Sequence, residues 1–371
     1  MINNDLLKKI KIFFKDTNEL LLRSFIPKFL SKKNINTFLL CMSLMIFNPS
    51  ASFGQSKTGT TIGQFLKIEP SSRGVGIGNA GVSQAGEASL AYYNPASLGW
   101  LKGTDIQFTY NKWLADIDYN YTIAAVNFEG LGTVSLVLTS LNSGEIDVRT
   151  VEKPMGTGEK YSVTNFLLGI GYGIMLTDRV SVGLQLNYIN ESIWHSDLNA
   201  FGMNFGVQYQ LMEGDFTIGA SVSNFGTNAS FSGRDLYINY DFDPDKYGDN
   251  DRLPAGLRVE SYSLPTVFRA GVTYVYKFDD SYNILFSADA VHPNDNNESI
   301  NMGTEINLIN LLSVRAGYRN FLLADREGGL VVGGGIKSEL YNSLNVRFDY
   351  AWADYGRLDG AHRLTISVGY K

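Results

Sequence analysis

Cysteine is almost missing from this chain: Cys41 is the only one among 371 residues. An oxidising compartment would therefore hold no disulfide here, and a thiolate metal centre has no ligand set. Histidine is nearly as scarce, with His195, His292 and His362 alone. Charged residues make up 18% of the sequence, lean for a globular protein. No long apolar run exists either. The longest, residues 37–47, falls well short of the roughly 20 residues a spanning helix needs, and mean hydropathy is -0.07. What is abundant is glycine, at 38 residues, and aromatic side chains, at 13%. Such a composition favours one large β-barrel over two soluble domains.

The apolar run reads as the core of a secretion signal. Lys28, Lys32 and Lys33 precede it, and Ser50, Ala51, Ser52 and Gly54 follow, with cleavage expected near Gly54-Gln55. Cys41 sits inside the run, behind a Leu40 too bulky for lipoprotein processing. The first 54 residues hold eight Lys/Arg and three Asp/Glu, which leaves 23 and 34 for the remainder, a net charge of −11. Nucleic-acid binding is disfavoured by that balance, whereas a cell-surface protein meeting cations or basic patches suits it.

From Thr104 onward, runs of about ten residues alternate bulky apolar with small or polar side chains, the period of a strand with two unlike faces. In the last run Leu364, Ile366, Val368 and Tyr370 oppose Thr365, Ser367 and Gly369. Fourteen such runs can be counted, an even number that suits a bacterial outer-membrane barrel. Connections after even runs are tight, as in Glu129-Gly130-Leu131-Gly132; those after odd runs are generally longer. A chain entering from the periplasm makes its odd-numbered connections outside, so short periplasmic turns and longer extracellular loops follow. The expected fold is all-β, a fourteen-stranded antiparallel transmembrane β-barrel, closed because an open edge in lipid leaves backbone groups without partners.

The inferred inner face carries Arg269, Lys277, Asp289, Glu305, Arg315, Arg319, Arg347 and Asp349. An Arg or Lys on the lipid face would cost about 2–4 kcal/mol at midplane, so these groups are expected to point inward, as an ionic network or a selectivity lining. Tyr and Trp at run ends (Trp113, Tyr188, Tyr209, Trp352, Tyr370) fit interfacial girdles. The long connection over residues 226–263 holds Asp243, Asp245, Asp249 and Asp251, hard oxygen ligands of the kind calcium takes, though without the EF-hand glycine and terminal glutamate. Its length points to partner contact or cover of the barrel mouth. A surface hydrolase built from His195 with Ser192 or Asp197 is the one enzymatic arrangement to weigh, and nothing in the sequence orients it; no catalytic set, cofactor or metal centre is expected.

One stretch does not alternate. From Gly63 to Gly99 it runs Phe65-Leu66-Lys67-Ile68, then Arg73-Gly74-Val75-Gly76-Ile77-Gly78-Asn79-Ala80, then Ala91-Tyr92-Tyr93-Asn94-Pro95-Ala96. Gly74, Gly76 and Gly78 permit close backbone approach or positive φ, and Asn94-Pro95 places proline at the start of a short helix. No strand precedes the glycines and no Lys-Ser/Thr follows, so a nucleotide loop is excluded. These residues resemble the amino-terminal signature of the PorV/PorQ family of outer-membrane proteins, within the FadL-like superfamily. This chain departs from the family in having Ser97 after Asn94-Pro95-Ala96, and Ser72 before Arg73.

That resemblance implies a barrel with an N-terminal hatch carrying the motif residues Arg73, Gly74, Gly76, Gly78, Asn94, Pro95 and Ala96. It also implies work in type IX secretion, with outer-membrane lipid, secreted cargo proteins and translocon subunits as partners. The domain boundaries expected are 1–54 for extension and signal, 55–102 for the hatch and 103–371 for the barrel. A FadL-like channel for small hydrophobic molecules is the alternative.

Overall fold

The alternating runs become fourteen antiparallel strands: β1 (Thr104–Lys112), β2 (Asp118–Phe128), β3 (Gly132–Asn142), β4 (Val163–Met175), β5 (Val180–Ile193), β6 (Ser196–Leu211), β7 (Phe216–Gly226), β8 (Val267–Lys277), β9 (Tyr282–Pro293), β10 (Ser299–Leu308), β11 (Leu312–Phe321), β12 (Leu330–Leu340), β13 (Leu344–Asp354) and β14 (Gly360–Tyr370). This computed structural model describes residues 58–243, 245–246, 252–279, 281–323, 326–340 and 343–370. The expected signal segment with Cys41, and Asp249 and Asp251, lie outside the described residues. Each strand pairs with its chain neighbours, and β14 returns to β1 in the register Thr104↔Tyr370 to Lys112↔His362. The sheet is closed, so every barrel strand has two partners, as lipid requires.

Side-chain period sets the two faces. On β1, Ile106, Phe108 and Tyr110 are exposed on the outer face while Asp105, Gln107, Thr109 and Asn111 are buried. The same division holds on β14, where Ile366 is 48% exposed and Ser367 only 1%. Tight connections follow β2, β4, β6, β8, β10 and β12, and the long β7–β8 connection stands at the other end. One connection departs from the expected pattern. β5 and β6 are joined by Trp194 and His195 alone, because these strands, of 14 and 16 residues, carry the hairpin outward themselves.

Residues 58–103 do not join the sheet ladder. They fold into short helical turns, Gln64–Lys67, α1 (Ser72–Gly76), Ala88–Tyr92 and Pro95–Trp100, whose side chains are mostly buried. Pro95 opens the last turn, capped by donation from the Ala96 amide to the Asn94 Oδ1 at 3.0 Å. The stretch starts beside the long β7–β8 connection, where Thr61 bridges Ser263, and ends by entering β1 at the short-turn end.

Two glycines explain how closely it packs. Gly78 has φ +72°, and a Cβ there would lie 2.2 Å from the Met302 carbonyl oxygen; a Cβ on Gly183 of β5 would lie 2.2 Å from the Pro95 carbonyl carbon. Backbone meets backbone at both points, so a side chain cannot be accommodated without displacement.

The lumen has two unlike walls. Inward residues of β2–β6, among them Tyr119, Tyr121, Ile123, Val137, Leu167 and Ile189, pack with Phe65, Leu66 and Ile68 in one apolar cluster. Across from it, β8–β14 present arginines and carboxylates.

Candidate functional site in the barrel lumen

Strand parity turns the charged side chains of β8–β13 inward, and α1 delivers Arg73 to meet them. Arg73 donates Nε and Nη2 to the two Glu305 oxygens, each at 2.8 Å, and Nη1 to Glu87 at 3.0 Å. Glu305 also accepts from Arg315 Nε at 2.6 Å, and Arg315 Nη1 reaches Asp349 at 2.6 Å. Arg347 joins Glu87 to Asp105, with Nη2 3.2 Å from Asp105 Oδ2. The side chains of Glu305 and Arg315 are 1% and 4% exposed, so the pairs are desolvated. Buried pairs of this kind contribute little net stability but resist loss of either member, and they fix geometry by direction. Here they fix the interior stretch against four strands, β1, β10, β11 and β13.

Other expected inner charges are placed differently. Asp289 accepts from the Val82 amide at 2.9 Å, Arg269 donates to the Ser223 hydroxyl at 3.0 Å, and Arg319 stacks over the Tyr355 ring at 3.6 Å. Lys277 is a correction. It has the inward parity, yet as the last residue of β8 it sits at the short-turn rim, 59% exposed, paired with Asp215 at 2.6 Å. Beyond the end of the strand there is no lumen content for it to face. Trp113, expected in a girdle, instead packs edge-on against Tyr355 beneath Arg363, whereas Tyr188, Tyr209 and Tyr370 are exposed on the outer face.

Among the motif residues, Gly74 lies against the Tyr93 ring, Gly76 against Arg315 and Gly333, and Asn94 donates to the carbonyls of Val82 and Val207 at 2.9 and 3.0 Å. Several participants were missed in the sequence. Asp105, Glu191 and Arg363 carry the inward parity of their strands and could have been found by it. Arg363 is fully buried and donates to the Glu69 carbonyl at 3.0 Å. Glu87 and Asp295 have no such signal, since neither lies on a strand.

Asp295 clamps the start of the interior stretch. It accepts from Thr61 at 2.8 Å, Gln64 at 3.0 Å and Lys67 at 3.0 Å. Burial pushes its carboxyl up, but donation from Gln64, Lys67 and Thr61 outweighs that and holds it below the usual carboxylate range.

The long β7–β8 connection forms a hairpin, Tyr237–Tyr240 against Leu253–Gly256, with Tyr237 and Phe242 72% and 76% exposed. Asp243 pairs with Lys246 at 3.0 Å and Asp245 is exposed; among the described residues no three acidic, His or Cys side chains converge as metal ligands. His195 meets Asp235 at 3.0 Å and stacks on Trp194, while Ser192 and Asp197 face each other across the β5–β6 ladder. His292 pairs with Glu298 at 3.0 Å and His362 with the Tyr350 hydroxyl at 2.8 Å.

Residues 87–368 match the family described as type IX secretion system membrane protein PorP/SprF. The branch is PorP/SprF where the motif resembled PorV/PorQ, and most of that motif precedes the matched residues. No curated protein sequence matches. Among solved structures, the Pseudomonas putida toluene transporter TodX is similar at 13% identity and a TM-score of 0.53, over 82% of this chain and 98% of its own. The CymD monoaromatic hydrocarbon channel aligns at 12% identity and a TM-score of 0.49, over 82% and 97% of the two chains. At such identities the likeness is one of fold.

Proposed function

Because this chain belongs to the PorP/SprF family of type IX secretion system membrane proteins and forms a barrel of the outer membrane, we propose that it is a non-enzymatic docking component of that pathway. In this reading secreted cargo proteins and translocon subunits are its partners, and the β7–β8 connection is the surface that meets them. The supporting observation is the contrast between a lumen filled by residues 64–101, tied down by buried ion pairs, and an outer hairpin that leaves Tyr237, Tyr240 and Phe242 in water. Exposed aromatic side chains beside carboxylates suit a protein partner with apolar and basic groups. Residues 58–102 then serve as a hatch, and the motif resemblance to PorV/PorQ supports the carriage of cargo as the finer role.

The test is crosslinking of the full chain in cells, with photoreactive residues at Tyr237 and Phe242. Secreted proteins or secretion subunits are expected as adducts. Removing residues 227–260 is expected to abolish them, and a deletion that leaves both partner binding and permeability unchanged would remove the loop from the proposal.

A second reading is a channel for small hydrophobic molecules, supported by the fold likeness to TodX and by the apolar wall of β2–β6 around Phe65. Toluene entry into vesicles holding the purified protein, faster than into empty vesicles, would favour it.

A further inference from the structure

A chamber of about 470 Å³ opens at the long-loop end of the barrel, above Phe65 and Ile68. Its charges are arranged unlike those of the ionic network. Arg269 and Arg319 both border it and are only 8% and 6% exposed. Among the described residues neither has a carboxylate within ion-pair distance: Arg269 donates Nη1 to Ser223, Arg319 donates Nη2 to the Asp354 carbonyl at 3.0 Å, and Arg319 Nε has no partner. The bordering carboxylate, Glu69, is engaged by Asn79 at 2.9 Å and lies 3.8 Å from Arg363. A guanidinium does not shed its proton on burial. The carboxylate whose charge reaches Arg269 is Asp289, which is itself bonded to the Val82 amide, so among the described residues two guanidiniums without a carboxylate at pairing distance make a site for an anion.

The remaining lining says what the anion is attached to. Asn165, Asn297 and Asn320 border the chamber, and among the described residues their side-chain amides make no hydrogen bond. Each amide offers two donors and an acceptor. A purely apolar acid would bury them unpartnered, at a cost, whereas hydroxyl groups satisfy both roles. Trp113 and Tyr355 complete the wall, their rings packed edge-on against each other and engaged by Arg363 and Arg319.

We propose that this chamber binds an acidic sugar, a uronate-type unit whose carboxylate meets Arg269 and Arg319 and whose hydroxyls meet the three asparagines. The unit is either a free monosaccharide or the end of a surface glycan. The site is independent of the docking role above and would stand if that role failed.

The test is calorimetric titration of the full-length detergent-folded protein with D-glucuronate, D-glucose and hexanoate, and with trigalacturonate to separate the two sources. Glucuronate is expected to bind in the millimolar range, at least about tenfold more tightly than glucose or hexanoate. Trigalacturonate binding more tightly than the monomer marks a glycan end, and equal affinity marks the free sugar; either supports the site. Arg319→Met should weaken glucuronate about tenfold or more, with retention of the heat-modifiable gel band as the check on folding. Asn297→Ala, in the β9–β10 connection where folding is less at risk, should weaken it roughly threefold. Absence of glucuronate binding to the folded protein overturns the proposal, as does hexanoate binding equally well or a folded Arg319→Met variant with unchanged affinity.

Discussion

The two lumen walls hold the same interior stretch by opposite means. Against β2–β6, Phe65, Leu66 and Ile68 are held by burial, which is non-directional and tolerant of exact shape. Against β10–β13, Arg73 is held by a two-pronged pairing with Glu305 and a chain of further pairs, which is directional and intolerant of the loss of any member. The apolar wall supplies adhesion. Its ionic counterpart supplies position, because the Arg73 fork is satisfied by Glu305 and Glu87 at one place only and its charge is left buried and unpaired if the stretch slides.

Losing one cation from the ionic wall is the strongest way to break this comparison. Arg315→Met leaves Asp349, 4% exposed, without its partner and Glu305 with one arginine rather than two. A loss of about 3–5 kcal/mol is expected, read as a fall in the temperature at which the barrel unfolds on a gel. An unfolding temperature equal to that of the parent would mean the network is solvated and decorative.

Leu66→Ala should cost about 3 kcal/mol through the cavity it opens, by the same readout. A conservative exchange on each wall sharpens the contrast. Leu66→Met conserves volume and should cost less than about 1.5 kcal/mol. Arg315→Lys keeps the charge but loses the fork, and should cost about 2 kcal/mol. If the two exchanges reversed in order, directionality would not be what distinguishes the walls.

The smallest effect is a matter of pH. Asp295 in the folded protein titrates below its unfolded value of about 3.9, so its clamp on Thr61, Gln64 and Lys67 is fully present above that value and fades as pH falls through the depressed one. Hydrogen exchange at the Ile62 amide, which donates to the Ser263 carbonyl at 3.1 Å, should speed up beyond its intrinsic rate as the pH is taken below the unfolded carboxylate value. Asp295→Asn should remove that dependence at a cost of about 1 kcal/mol. An unchanged exchange profile in the variant would assign the protection to backbone pairing alone.

Much of this was legible in the chain and some was not. Parity alone assigned Glu305, Arg315 and Asp349 to the inner face, and applied to every strand it would have added Asp105, Glu191 and Arg363. It failed at Lys277, where parity is right but the strand has run past the lumen contents. For Glu87 there was no periodic signal, since it lies between strands and acquires its role by standing beside Arg347, far away in sequence. The brevity of the β5–β6 connection was also hidden, because alternation continuing into the hairpin reads as loop.

The sequence by itself determined the strands, their count and which side of each faces lipid, since a period of two residues is a local property and a charge in hydrocarbon is costly wherever it occurs. Only the tertiary structure decided which arginine meets which carboxylate and which guanidiniums, among the described residues, have none at pairing distance. Several of those pairings, Arg73 with Glu305 and Arg347 with Asp105 among them, join residues more than two hundred positions apart, which only a barrel closed by β14 on β1 around the interior stretch brings together.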